Sequence, residues 1–204
     1  MLHVTTCLWD SNDKMNPVSG HFDESWAEKL YRCFKRNLTK PFRFLCFVDR
    51  LREFKEPIEQ ELLSSDTPDY GNFTEPYKLN VPMIHVALDT IVLGNIDHLA
   101  DWCFTGDKIA LCRDYKYPWK SINGIALVPA GRREIYDKWR GENDMKWLRN
   151  FPWQPIDDKW PGEVISYKMR VVGHGLGNAK VVFFHGQPKA DTLGHLDWVK
   201  THWQ

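Results

Sequence analysis

The sequence lacks a net charge: 27 Lys and Arg balance 27 Asp and Glu over 204 residues, so the electrostatic footprint of a nucleic-acid-binding protein is missing. Lys35-Arg36 and Arg132-Arg133 therefore read as solvated helix faces. No apolar run approaches the roughly 18–20 residues that cross a bilayer. The opening Met1–Thr6 has neither the charged nor the apolar region of a secretion signal, so a soluble, cytoplasmic protein is expected. The five cysteines include no C-x-x-C pair, and no short-spaced ligand cluster suggests zinc. Cys7, Cys46 and Cys112 lie in apolar, strand-like runs, and buried reduced thiols are expected. No repeat or linker divides the chain, which predicts one domain spanning residues 1–204.

Aromatic residues, in contrast, are plentiful. Ten tryptophans in a small domain imply either a bulky core or a surface that stacks on flat ligands such as sugars and bases. Trp119, Trp153 and Trp160 fall in proline-containing stretches, where they either anchor loops or present a face to a glycan.

The pattern along the chain is that of an α/β protein. His3–Trp9 is rich in β-branched residues and predicts a strand, followed by a polar loop from Asp10 to Gly20. Trp26, Leu30, Cys33, Phe34 and Leu38 follow the 3.6-residue period, predicting an amphipathic helix from Asp23, a plausible cap, to Leu38. Phe42–Val48 predicts a second strand, and this βαβ opening implies a parallel pair with a right-handed crossover. A short strand is expected at Ile58–Leu63, turns over 64–76 and a short helical stretch at Tyr77–Leu79. Pro82–Leu88 fits a buried parallel strand, Ile91–Leu93 stays extended, and Ile96–Cys103 suggests one or two helical turns. Further strands are expected at Lys108–Cys112, Gly124–Val128 and Val181–Phe184. Residues 132–140 and 142–150 suggest two helices broken at Gly141, and Phe151–Pro161 a loop.

In open α/β sheets ligands bind beyond the carboxyl ends of the strands. That makes Asp10, Asp49, Asp89 and His185 the candidate ligand contacts. Asp10 and Asp49 suit either a turn or cap or a contact to a ribose or cation. Asp89 is the sharper candidate, because a carboxylate between two apolar runs must be paired, hydrogen-bonded or metal-bound. His185 suits either a satisfied core imidazole or a metal ligand.

The order of these elements, with Ala87-Leu88-Asp89-Thr90-Ile91-Val92-Leu93-Gly94-Asn95-Ile96 at the centre, resembles glycosyltransferases of GT-A fold, distantly the glycogenin and lipopolysaccharide galactosyltransferase group. In that group the central strand ends in Asp-x-Asp, followed by an apolar run, Gly and a short helix. Tyr31–Leu38 and Phe42–Asp49 resemble the first helix and second strand, and Glu75-Pro76-Tyr77-Lys78-Leu79 the segment with an aromatic-Lys pair. Asn123-Gly124-Ile125-Ala126, Ser166-Tyr167-Lys168 and Phe183-Phe184-His185-Gly186-Gln187-Pro188-Lys189 resemble three later motifs, so the likeness covers nearly the whole chain.

The resemblance implies a single-domain GT-A fold, a mixed, mostly parallel sheet flanked by helices. It also implies transfer of a sugar from a nucleotide diphosphate sugar to a glycan or other hydroxyl acceptor. It places Asp89 and His185 as ligands of Mn²⁺ or Mg²⁺, which suits oxygen-rich diphosphate sites. Lys78, Lys168 and Lys189 would neutralise phosphate, Thr6, Trp9 and Asp49 line the nucleoside end, and Asn123, Gly124 and Asp144 face the sugar or acceptor, with Asn123 and Asp144 the catalytic candidates. Two departures stand out. Ala87 replaces the first Asp of Asp-x-Asp, and Asp144-Met145 replaces an expected Asp-Gln. The first leaves three outcomes: a weakly held cation, lysines in its place, or a degenerate module that binds nucleotide sugar or glycan without turnover. A structural assembly component is the remaining alternative.

Overall fold

A computed structural model describes residues 1–14 and 22–204. The polar loop expected from Asp10 to Gly20 thus lies partly outside the described residues. Among these, seven strands form one sheet in the order β3-β2-β1-β4-β7-β6-β8. β1 (Leu2–Leu8), β2 (Phe42–Val48), β3 (Glu59–Leu62) and β4 (Met83–Val86) run parallel to one another, with Leu2 opposite Phe42 and His3 opposite Met83. β7 (Ser121–Val128) is antiparallel to both β4 and β6 (Ile109–Arg113), and β8 (Trp153–Pro155) pairs in parallel with β6. The mixed, mostly parallel α/β architecture matches the expectation.

Helix α1 (Glu24–Asn37) begins at Asp23, whose carboxylate accepts the Ser25 amide at 3.0 Å. Phe22 packs edge-on against Trp26, their ring centres 4.8 Å apart, which fixes the angle of entry. The helix buries Trp26, Leu30, Cys33 and Phe34 in the main core with Val4, Leu8, Phe44 and Cys46. Burial of each large side chain contributes about 1.5–3 kcal/mol. All five cysteines are buried and free.

A second sheet positions the site. β5 (Thr90–Val92), β10 (Val181–Phe183) and β9 (Val164–Ser166) form it in the order β5-β10-β9. β10 runs antiparallel to β5, with Phe183 opposite Thr90, and parallel to β9, with Phe183 opposite Ser166. The extended Ile91–Leu93 run therefore leaves the main sheet.

Several sequence expectations differ from the structure. Phe151–Pro161 is not a loop but holds β8 and helix α5 (Ile156–Lys159). Pro155 is tolerated because β8 is an edge strand and the residue caps α5. The short helical stretch expected at Tyr77–Leu79 is a 3₁₀ helix over Tyr70–Leu79, started by a capping box between Asp69 and Asn72. Gly141, at φ +98°, breaks the chain as expected, but the flanking helices shrink to α3 (Glu134–Asp137) and α4 (Asp144–Leu148). β7 starts at Ser121 rather than Gly124, and β9 was not anticipated because three residues are too few for a periodic signal. The remaining helices among the described residues are α2 (Asp97–Thr105), a π-helical turn at Tyr167–Val171, α6 (Val172–His174), a 3₁₀ turn at Ala190–Leu193 and α7 (Asp197–His202). No helix among the described residues is long and apolar enough to cross a membrane.

Candidate active site

A cleft of about 560 Å³ opens beyond the carboxyl ends of β1 and β4, within the size range of small-molecule sites. β1 supplies Cys7 and the following Trp9, and the 3₁₀ helix supplies Tyr70 and Phe73. The 3₁₀ helix is held by His85 on β4. The His85 Nε2 lies 2.8 Å from the Phe73 carbonyl, while its Nδ1 lies 2.9 Å from the Thr5 hydroxyl. Burial lowers the His85 pKa to about 4, so the imidazole is neutral at pH 7 and works as a structural clasp.

Chain segments following β4 and β10 meet across the second sheet. Ala87, Leu88 and Asp89 come from the first, and Phe184, His185, Gly186 and Lys189 from the second. The Phe184 amide donates to the Asp89 carbonyl at 2.9 Å, one rung past the β5–β10 ladder. Gly186, at φ +67°, turns the chain and Lys189 returns to the same place, where its ammonium pairs with the Asp89 carboxylate. A further Lys189 hydrogen bond reaches the Phe184 carbonyl at 3.2 Å. Burial raises the Asp89 pKa, opposed by Lys189 and more weakly by His185.

His185 lies at the exposed rim, its Nε2 2.8 Å from the Ser166 hydroxyl. Partial desolvation and the charge of Lys168 lower its pKa, favouring a neutral imidazole. Ser166 is fixed in turn by the Met169 amide, which donates to its hydroxyl at 3.2 Å, and its own amide donates to the Tyr115 hydroxyl at 3.0 Å.

The hairpin between β6 and β7 contributes Asp114, Tyr115 and Lys116, and β7 itself contributes Asn123 and Gly124. Gly124 is required by packing. A Cβ there would sit 3.0 Å from the Phe183 ring, so β7 and β10 approach only where no side chain intervenes. Asn123 donates its amide hydrogen to the buried Asp144 carboxylate at the start of α4. Burial raises the Asp144 pKa to about 6, with the Asn123 bond opposing.

Of the residues singled out in the sequence, Trp9, Asp89, Asn123, Gly124, Asp144, His185 and Lys189 all line this one cleft. Asp89 and His185 thus line the same cleft. Five others, Thr6, Asp10, Asp49, Lys78 and Lys168, stand outside its lining. Thr6 is buried, on the face of β1 shared with Val4 and Leu8 by the two-residue period. Asp49 pairs with the buried Arg52 at 2.7 Å, and Arg52 also binds Asp10 and Glu24 at 2.9 Å each. Lys78 pairs with Glu61 at 2.7 Å and lies over the Phe47 ring. Lys168 is exposed and reaches the site through its field on His185. Tyr70, Phe73, Tyr115 and Met169 are cleft residues that sequence reasoning missed. The Asp69-x-x-Asn72 spacing was the available signal for the first two.

The donor set does not make a divalent-cation site. The Asp89 carboxylate is paired with Lys189, the His185 Nε2 faces Ser166, and Ala87 offers no ligand. Among the described residues no group of three His, Cys, Asp or Glu side chains is arranged to hold an ion.

Many solved structures share the fold, two glycosyltransferases among them. WbbM, a bifunctional glycosyltransferase solved in its apo form, superposes with a TM-score of 0.60 at 8% identity, over 93% of this chain and 46% of its own. The glycosyltransferase GlyE of Streptococcus pneumoniae TIGR4 superposes with a TM-score of 0.59 at 11% identity, over 92% of this chain and 55% of its own. This chain spans about half the length of each. No protein-family description and no curated protein matches the sequence. At these identities the likeness is one of fold, and that fold is GT-A-like, as the sequence resemblance implied.

Proposed function

We propose that the cleft binds a nucleotide diphosphate sugar and transfers the sugar to an acceptor hydroxyl. The observation carrying this reading is the meeting of two polar pairs, Asn123–Asp144 and Lys189–Asp89, in one aromatic-rich cleft beyond the parallel strands of a glycosyltransferase-like fold. Trp9, Tyr70 and Phe73 supply aromatic surface to the cleft that suits a nucleobase, while Thr6 and Asp49 lie outside its lining. Lys189 offers charge to the diphosphate, with Lys168 near the rim and Lys78 more distant. Asn123, Gly124 and Asp144 face the sugar.

In the reaction the acceptor oxygen bonds to the anomeric carbon. The bond from that carbon to the β-phosphate oxygen breaks, and its electron pair leaves on the diphosphate. The acceptor proton passes to a base, and Asp144 is the cleft carboxylate whose pKa, about 6, suits that task. Charge gathering on the diphosphate must be met by oriented donors, and Lys189 supplies an ammonium within the cleft.

The acceptor side fits a glycan. Between β6 and β7, Trp119 is 71% exposed and packs edge-on against Tyr117, their ring centres 5.5 Å apart. Tyr115 and Lys116 of the same hairpin line the cleft, so this ring pair adjoins its mouth. Trp153 and Trp160 are instead partly buried, Trp153 in β8 and Trp160 edge-on to Trp102, and serve as anchors.

The test is release of nucleoside diphosphate from a panel of nucleotide diphosphate sugars, compared between the wild type and Asp144→Asn. Release by the wild type and its loss in the variant support transfer. Binding without release favours the second reading, a module that holds the donor without turnover, which Ala87 motivates. Neither binding nor release overturns both.

A further inference from the structure

The glycosyltransferase-like central segment reads Ala87-Leu88-Asp89, and Ala87 faces the cleft where the resemblance has a carboxylate. A hard divalent cation surrounds itself with oxygen ligands and favours carboxylates. Here one of two carboxylates is missing, and the other is already paired. Its partner, Lys189, is buried and drawn in by three separate features. These are the Asp89 carboxylate, the Phe184 carbonyl at 3.2 Å, and the Phe22 ring face with its centre 5.5 Å from the ammonium.

We propose that the Lys189 ammonium, seated on Asp89, takes the cation's place, so that the cleft binds the diphosphate of its donor without a divalent metal. This rests on the reading of the cleft as a nucleotide diphosphate sugar site. An ammonium has three N–H donors, and the two oxygen partners named leave one for a phosphate oxygen. Asp89 then acts as a positioning residue. It holds a flexible four-carbon side chain in one place, lowering the ordering cost of binding. Ala87 belongs to the same arrangement, because a second carboxylate at that position would compete for the ammonium and recreate a pair of oxygen ligands.

The experiment titrates nucleoside diphosphates, without the sugar, into the protein by calorimetry in EDTA and again in Mn²⁺. Comparable affinity in both is expected. Lys189→Met leaves Asp89 buried without a partner, so the double variant Asp89→Asn/Lys189→Met serves as the well-folded comparison, with its melting temperature measured alongside. Either change should weaken binding in EDTA at least about tenfold. Ala87→Asp should weaken binding in EDTA and restore it on addition of Mn²⁺. Wild-type binding that EDTA abolishes and Mn²⁺ restores overturns the inference and leaves the donor-site reading standing. Unchanged affinity in the double variant also overturns it. Absence of binding in both media overturns the donor-site reading itself.

Discussion

The amide of Phe184 is hydrogen-bonded to the carbonyl of Asp89 at 2.9 Å, and this single rung is why chemistry from two distant parts of the chain shares one cleft. It extends the antiparallel β5–β10 pairing by one residue and sets His185 beside Asp89. The same register carries Ser166, opposite Phe183 on the other side, to the imidazole.

The first prediction concerns Asp144 and activity. A free-enzyme carboxyl with a pKa near 6 serves as a base only when ionised. The kcat/KM for transfer should fall about tenfold per pH unit below 6. Asp144→Asn should remove this limb and most of the rate, as measured by initial rates from pH 5 to 8.

Stability should show the same carboxyl with the opposite sign. The folded pKa of Asp144 is raised from 3.8 to about 6, so its contribution is fully present below the lower value and is lost as pH rises through the higher. Asp144→Asn should therefore be more stable than the wild type at pH 7 by on the order of 3 kcal/mol, with the advantage gone by pH 4. His85 acts the other way. Its folded pKa is depressed from 6.5 to about 4, so stability is lost as pH falls across that window, by about 3 kcal/mol. In the wild type the two trends offset, and the asparagine variant should expose the acid sensitivity of His85. Denaturant melts at several pH values measure both.

Much of this was legible in the residues. Trp26, Leu30 and Phe34 announced α1, and the runs Phe42–Val48 and Pro82–Leu88 announced central strands, because apolar periodicity reports a buried face directly. Asp89 and His185 were found because polar groups after apolar runs require partners. The partner itself was not foreseeable as an ion pair. Lys189 reaches Asp89 only because Gly186 turns the chain, and nothing local marks that geometry. β8 and β9 escaped notice because each is three residues long and takes its stability from neighbours. Asp49 and Lys78 show the reverse. Each stands at a plausible position in the sequence, yet Arg52 and Glu61 engage them outside the cleft lining.

Arg52 provides a third prediction. Its guanidinium is buried and joins Asp10, Asp49 and Glu24 near the carboxyl ends of β1 and β2. Arg52→Met should destabilise the fold by about 3 kcal/mol, because Asp49 would keep its burial and lose its counter-charge. Thermal unfolding of the variant tests this, and a change within experimental error would show the network to be incidental.

The exposed ring pair gives a fourth. Trp119→Ala should raise the KM for a glycan acceptor about fivefold while leaving donor affinity unchanged. An equal loss of donor affinity would place Trp119 in support of the cleft instead of on the acceptor path.

The central claim is that a nucleotide diphosphate sugar occupies the cleft beyond β1 and β4, and blocking that space tests it most directly. Calorimetric titration of such donors into the wild type and into Ala87→Trp, whose new ring would fill the cleft beside Asp89, should show saturable binding of one donor class to the wild type. The variant, with its melting temperature unchanged, should bind none. Equal affinity in the two proteins, or no heat of binding from any donor, would contradict the account.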